Sequence, residues 1–252
     1  MSGLTLEVWA LAAFACFLTG LSKGGLPGVG SLTVLIFASI FEPKASVGLL
    51  LPILISADIV AVVIYRRTVD WRSLWRLWPW MAVGVVFGTL LFGAISSDGI
   101  RRMIGFVVLG MTLLQILRKY LHKRSPKLAE KLSPNNRVYA GSLGLIGGIA
   151  TMLANAAGPV GQLFFLSAGL PKTVFVGTSA WVFFLINVFK LPFQSCLGIL
   201  HLSSLSVSFR LMPFAILGAF VAPFIVRRIN DQWFVRVVWF FVIVAGVKLL
   251  FF

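Results

Sequence analysis

Apolar runs separated by short polar gaps divide the chain into segments at about 4–22, 28–41, 45–65, 76–95 and 101–118, then 138–156, 158–170, 173–193, 207–226 and 232–252. Within each run the apolar residues are nearly continuous, without the alternation of a half-buried strand. Most runs reach the roughly 20 residues that a helix needs to cross hydrocarbon. The pattern predicts an all-α integral membrane protein. A transmembrane barrel would instead show short alternating segments separated by turns.

Two of the runs, 28–41 and 158–170, are too short to cross a bilayer, and each follows a glycine- and proline-rich interruption. The first is "LSKGGLPGVGS", Leu21 to Ser31, and the second lies in "TMLANAAGP" from Thr151. Broken helices or re-entrant hairpins fit such segments. Their unpaired amides and carbonyls are tolerated only where protein or a water-filled cavity faces them.

The two interruptions belong to an internal repeat. "PKASVGLLLPILISADIVAVVIY" from Pro43 aligns with "PKTVFVGTSAWVFFLINVFKLPF" from Pro171 after one single-residue gap, pairing Gly48 with Gly177 and Asp58 with Asn187. "PGVGSL" from Pro27 aligns with "PVGQL" from Pro159 in the same order. The expected organisation is a first transmembrane repeat over 1–117, a basic cytoplasmic linker over 118–137 and a second repeat over 138–252. The linker holds seven basic residues and two prolines. Each repeat has about five helical segments, and the broken or re-entrant elements should meet near the midplane. Paired interruptions of this kind point to a transporter's substrate site.

Charge sets the orientation. If each long segment and the short one after it together return the chain to the side from which the pair started, one face receives Arg66, Arg67, Arg72, Arg76, the linker cations, Lys172, Arg227, Arg228 and Arg236. The other receives Lys44, Arg101, Arg102 and Arg210. The opposite assumption weakens this asymmetry, so the positive-inside rule favours inverted repeats with both termini outside the cytoplasm.

Composition agrees: of 252 residues 59% are hydrophobic and 12% charged, and the mean hydropathy is +1.00. The net charge of +15 reflects topology and not nucleic acid, because the cations sit in the gaps between apolar runs. Tryptophans interleaved with arginine in "WRSLWRLWPW" from Trp71 read as an interfacial belt. Cys16 and Cys196, both in apolar surroundings, read as buried structural thiols. The opening run, which carries Glu7 and no basic flank, reads as a retained segment. With seven acidic residues, two histidines and no metal-ligand spacing, nucleophile–base pair or nucleotide motif, neither catalytic residues, metal nor cofactor is expected. His201 reads as facing solvent or headgroups.

"GLSKGGLPG" in the first half, with "TMLANAAGP" and "FVGTSAWVFFLINVFKLPF" in the second, resembles the TauE/SafE sulfite exporter family over nearly the whole chain, in motif order. The resemblance implies transport of sulfite or organosulfonates, as export across the bacterial inner membrane, with proton coupling. The chain departs from the commoner glycine-rich first motif in placing Lys23 directly before Gly24 and Gly25.

The residues independently suit an anion. Lys23 and Lys190 lie in or beside apolar segments, where an ammonium needs a polar cavity, a carboxylate or a bound anion; snorkelling to an interface is the competing account. Gly24, Gly25, Gly28, Gly30 and Gly158 allow close backbone approach, and a half-helix N-terminus beyond the break would add its positive end; close helix packing also explains glycines. Asn155, Thr178, Ser179 and Asn187 supply uncharged hydrogen-bonding groups. Asp58, the carboxylate deep in a long apolar run, could carry a coupling proton, pair with a lysine or close a helix contact. An uncoupled anion channel shares most of these features. Expected partners are a small anionic substrate and membrane lipid, with no nucleic acid, and association as a homodimer stays open.

Overall fold

The architecture is that of a computed structural model, which describes residues 5–26, 28–96, 135–200 and 202–228 together with isolated positions between 98 and 113. The expected segments 101–118 and 232–252, most of the linker, Pro27 and His201 lie outside the described residues. No strand occurs among the described residues.

Among the described residues eight helices are bounded: α1 Leu6–Lys23, α2 Val29–Ile40, α3 Pro43–Tyr65, α4 Trp71–Ala94, α5 Arg137–Ala154, α6 Gly158–Ser167, α7 Lys172–Cys196 and α8 Leu202–Arg228. Six of them, all but α2 and α6, are long and apolar enough to cross a membrane. The 12 residues of α2 and the 10 of α6 extend only about 18 and 15 Å at 1.5 Å per residue, well short of a hydrocarbon core of about 30 Å.

Local chemistry sets the helix ends. Thr5, Glu42, Asp70 and Asn136 each accept a backbone N–H at the start of α1, α3, α4 and α5. The Asp70 cap starts α4 five residues ahead of the expected apolar run, and Ser73, Leu74, Leu77 and Met81 then fall on one buried face while Trp71, Trp75 and Trp80 stay exposed. Similarly, α8 begins at Leu202, because Ser204, Val207, Ser208 and Leu211 already make a buried stripe at helical spacing. One expectation fails: Cys196 is exposed, since it ends α7 on the face away from buried Gln194, whereas Cys16 is buried.

Two bundles result. Buried residues of α1, α2, α3 and α8 form one core around Leu50, Ile53, Leu211 and Ala215, and those of α4, α5, α6 and α7 form another around Leu77, Leu143, Phe164 and Ile186. Each bundle thus combines the first three helices of one half with the fourth helix of the other. Glycines permit the closest crossings. A Cβ on Gly20 of α1 would lie 2.0 Å from the Ala215 carbonyl oxygen of α8, and one on Gly148 of α5 would lie 2.1 Å from the Met81 carbonyl oxygen of α4. Gly20 and Gly24 meet Ala215 and Ala222 in the same chain direction, and Gly144 and Gly148 meet Leu77 and Gly84 likewise, so α1 runs parallel to α8 and α5 to α4.

At one end the loop after α3 meets the start of α7, where the Asp70 amide donates to Thr178 Oγ1 at 2.9 Å and Gly177 lies against the Thr68 carbonyl. There Lys172 Nζ also donates to the Val226 carbonyl near the end of α8. At the other end Gly48, the partner of Gly177 in the repeat alignment, lies against the Ile199 carbonyl in the loop after α7. The helices α3 and α7 cross where the two bundles meet.

Candidate functional site

Both helix breaks use backbone that ordinary residues avoid. After α1, Gly25 and Gly28 take φ of 124° and 93°, and after α5, Asn155 takes φ of 53°. The chain can then leave one helix and start another after five residues at the first break and three at the second, placing the first turns of α2 and α6 in the interior. Gly28 precedes α2 without a side-chain cap, and Pro159 contributes no N–H to α6. The N–H groups that begin a helix have no intrahelical acceptor, and the dipole adds partial positive charge there.

These two starts line one cavity. Gly25, Gly28 and Gly30 contribute from the first break, and Asn155, Ala156, Ala157 and Gly158 from the second. About 100 Å³ is available to water centres, room for several waters or one small tetrahedral anion at roughly 10–15 Å³ per water centre. Gly158 has open space before it: the first atom that a Cβ there would meet is Gln162 Nε2, at 4.0 Å. A Cβ on Gly30 would lie 2.8 Å from Ser22 Oγ, which also lines the cavity.

Lys23, the last residue of α1, brings charge to the wall. Its Nζ lies 2.8 Å from Asp58 Oδ1 on α3, and Asn187 Nδ2 on α7 donates to Asp58 Oδ2 at 2.7 Å. The Phe183 ring centroid lies 4.6 Å from the same ammonium. Asp58 is wholly buried, while the Lys23 side chain keeps 13% exposure toward the cavity it lines. A buried pair needs its remaining lone pairs satisfied, and Asn187 supplies that bond.

Lys190, also wholly buried, sits behind the second break. Its ammonium donates to the Thr151 carbonyl and Thr151 Oγ1, both at 3.1 Å, and to Asn155 Oδ1 at 2.6 Å. Asn155 Nδ2 donates in turn to the Val47 carbonyl at 3.0 Å. The left-handed residue at the break is therefore held from both sides.

Of the residues singled out from the sequence, Lys23, Gly25, Gly28, Gly30, Asn155, Gly158, Ser179 and Asn187 line the cavity. Gly24, Asp58, Thr178 and Lys190 do not. Gly24 faces α8, where a Cβ would lie 2.5 Å from that of Ala222, and its carbonyl accepts from Tyr65. Thr178 is occupied by the Asp70 amide. Thr19, Ser22, Thr33, Thr151 and Gln162 also line the cavity, beyond the residues to which the sequence points. Helical spacing offers a signal for two of them: Thr19 lies four residues before Lys23 and Gln162 four after Gly158. Thr19 and Thr33 both donate to the Ala15 carbonyl, tying α1 to α2 beside the cavity.

A family model described as sulfite exporter TauE/SafE matches residues 11–249. No curated protein and no solved structure matches the chain.

Proposed function

The chain belongs to the sulfite exporter TauE/SafE family of membrane transporters, and from that premise we propose that it is a secondary transporter moving one small sulfur-containing anion, sulfite or an organosulfonate, outward across the bacterial inner membrane. The observation that carries this reading is the convergence of Lys23 and the N-termini of α2 and α6 on one cavity. Helix N-termini suit anions through both their free N–H groups and their dipoles, and Lys23 adds a full charge that its stem can turn toward a ligand. Ser179, Asn187 and the neighbouring hydroxyls offer hydrogen bonds to sulfur-bound oxygens.

In this reading the halves are inverted repeats and α2 and α6 are re-entrant. Exchanging α1–α4 with α5–α8 leaves the strongest packed pairs in correspondence: α1 on α8 becomes α5 on α4, and α3 on α8 becomes α7 on α4. α4 starts where α8 finishes, beside the start of α7, which supports opposite directions for equivalent helices. Arg66, Arg67, Arg72, Arg76 and Lys172 gather at that end, which the positive-inside rule makes cytoplasmic. Alternating access would be a rocking of the two bundles about the α3–α7 crossing. Asp58 carries the coupling proton: a substrate that draws Lys23 away leaves the carboxylate buried without its cation, a state that protonation relieves.

Flux in proteoliposomes of the purified protein tests this, with sulfite, thiosulfate, sulfoacetate, taurine and sulfate as the panel. Saturable flux of a sulfur oxyanion that responds to a pH gradient is the expected result. Unsaturable flux indifferent to that gradient means a channel, and a preference for zwitterionic taurine contradicts a site organised around Lys23.

A further inference from the structure

We propose that the cavity is built for a ligand bearing a single negative charge, and that Lys190 sets this preference from behind the wall. The inference rests on the reading of the cavity as an anion site, and goes beyond it by fixing the charge class of the substrate.

Charge among the described residues carries the inference. Two ammonium groups, those of Lys23 and Lys190, stand at the two breaks, and the one wholly buried carboxylate is Asp58. Lys23 takes that carboxylate as its partner. Lys190 has three acceptors, which matches its three donors, but all three are neutral. Its hydrogen bonds are satisfied while its charge is not. When Lys190 is protonated, one positive charge therefore remains uncompensated in a region of low dielectric, a costly state that an anion in the cavity relieves.

While Asp58 is ionised and paired with Lys23, a ligand with one negative charge restores neutrality; protonation of Asp58 belongs to the later step in which the ligand draws Lys23 away. A dianion leaves one negative charge in excess and must shed a larger hydration shell to enter. Lys190 does not line the cavity, so it acts through its field and through Asn155, which does. It is a positioning residue: Asn155 sits at the left-handed turn that starts α6, and the Lys190 bond fixes where that turn presents its amides.

The test compares methanesulfonate with sulfate, two ions with tetrahedral sulfur and charges of one and two, by calorimetry on the full-length protein in detergent at neutral pH. The wild type should bind methanesulfonate at least about tenfold more tightly than sulfate, one uncompensated charge being the difference. Lys190→Met should weaken methanesulfonate binding by about a hundredfold or more. Asp58→Asn should gain sulfate binding, and Lys190→Met combined with Asp58→Asn should recover methanesulfonate binding, because the balance returns to one positive charge. That recovery separates charge from packing, which the second substitution does nothing to repair. Equal wild-type affinities for the two ions overturn the inference, and so does a folded double variant no better than Lys190→Met. The wild-type comparison decides the matter if a variant fails to fold. Absence of binding by every sulfur oxyanion, sulfite included, overturns the anion-site reading itself and is thereby distinguished from failure of the charge preference alone.

Discussion

Asn187 donates to Asp58 across 2.7 Å, and these are the two residues that the repeat alignment makes equivalent. In the proposed inverted-repeat arrangement, equivalent residues touch only close to the axis that relates the repeats, which puts the meeting of α3 and α7 there. The bond also completes the ion pair, since Lys23 holds one oxygen of the carboxylate and Asn187 the other.

Removing either partner should destabilise the protein unequally. Asn187→Leu leaves one carboxylate oxygen without a donor, at a cost of about 1–3 kcal/mol. Asp58→Leu strands Lys23 in a largely buried position, at about 3–5 kcal/mol. Thermal unfolding in one detergent should give a larger loss for Asp58→Leu. An equal or reversed order contradicts the pairing.

Asp58→Asn keeps shape and hydrogen bonding while removing the proton-carrying group. Substrate binding should persist, whereas accumulation driven by a pH gradient should be lost in proteoliposomes. A variant that still concentrates substrate with unchanged pH dependence leaves Asp58 as a structural partner alone.

Glycine substitutions should separate packing sites from open ones. Gly20→Ala and Gly148→Ala drive a methyl into backbone 2.0 and 2.1 Å away, a collision that side-chain motion does not relieve and that costs about 1–3 kcal/mol or more. Gly93→Ala meets nothing within 4 Å and gains up to about 1 kcal/mol of helix propensity. Size-exclusion profiles and melting temperatures of the three variants check the contrast; tolerance of Gly148→Ala contradicts the close α4–α5 crossing.

Much of this was legible in the sequence because it is local. Continuous apolar runs located the helices, and the clustered glycines around Pro27 and Pro159 located the two breaks. The repeat alignment singled out Asp58 and Asn187 as a pair. What it could not reveal was which face each residue presents. Gly24 and Gly25 are neighbours, yet one packs on α8 and the other lines the cavity, a difference set by helix rotation against a partner some 200 residues away. Thr178 and Ser179 divide in the same way. Lys190 lies three residues beyond cavity-lining Asn187 on α7 but behind Asn155, because Thr151 and Asn155 supply three acceptors in a pocket that only the folded break creates.

The central claim is that Lys23 contacts a bound anion in the cavity between the breaks. Its most direct test is calorimetric binding of the best-transported sulfur oxyanion to Lys23→Met/Asp58→Asn, compared with Asp58→Asn alone, so that neither protein buries an unpaired Asp58 carboxylate. Loss of one hydrogen bond to a charged group is worth about 1.5–3 kcal/mol, so affinity should fall by roughly tenfold to a hundredfold between the two proteins. Equal affinity, with both proteins folded and monodisperse, would contradict the account and leave the backbone amides of α2 and α6 holding the anion without Lys23.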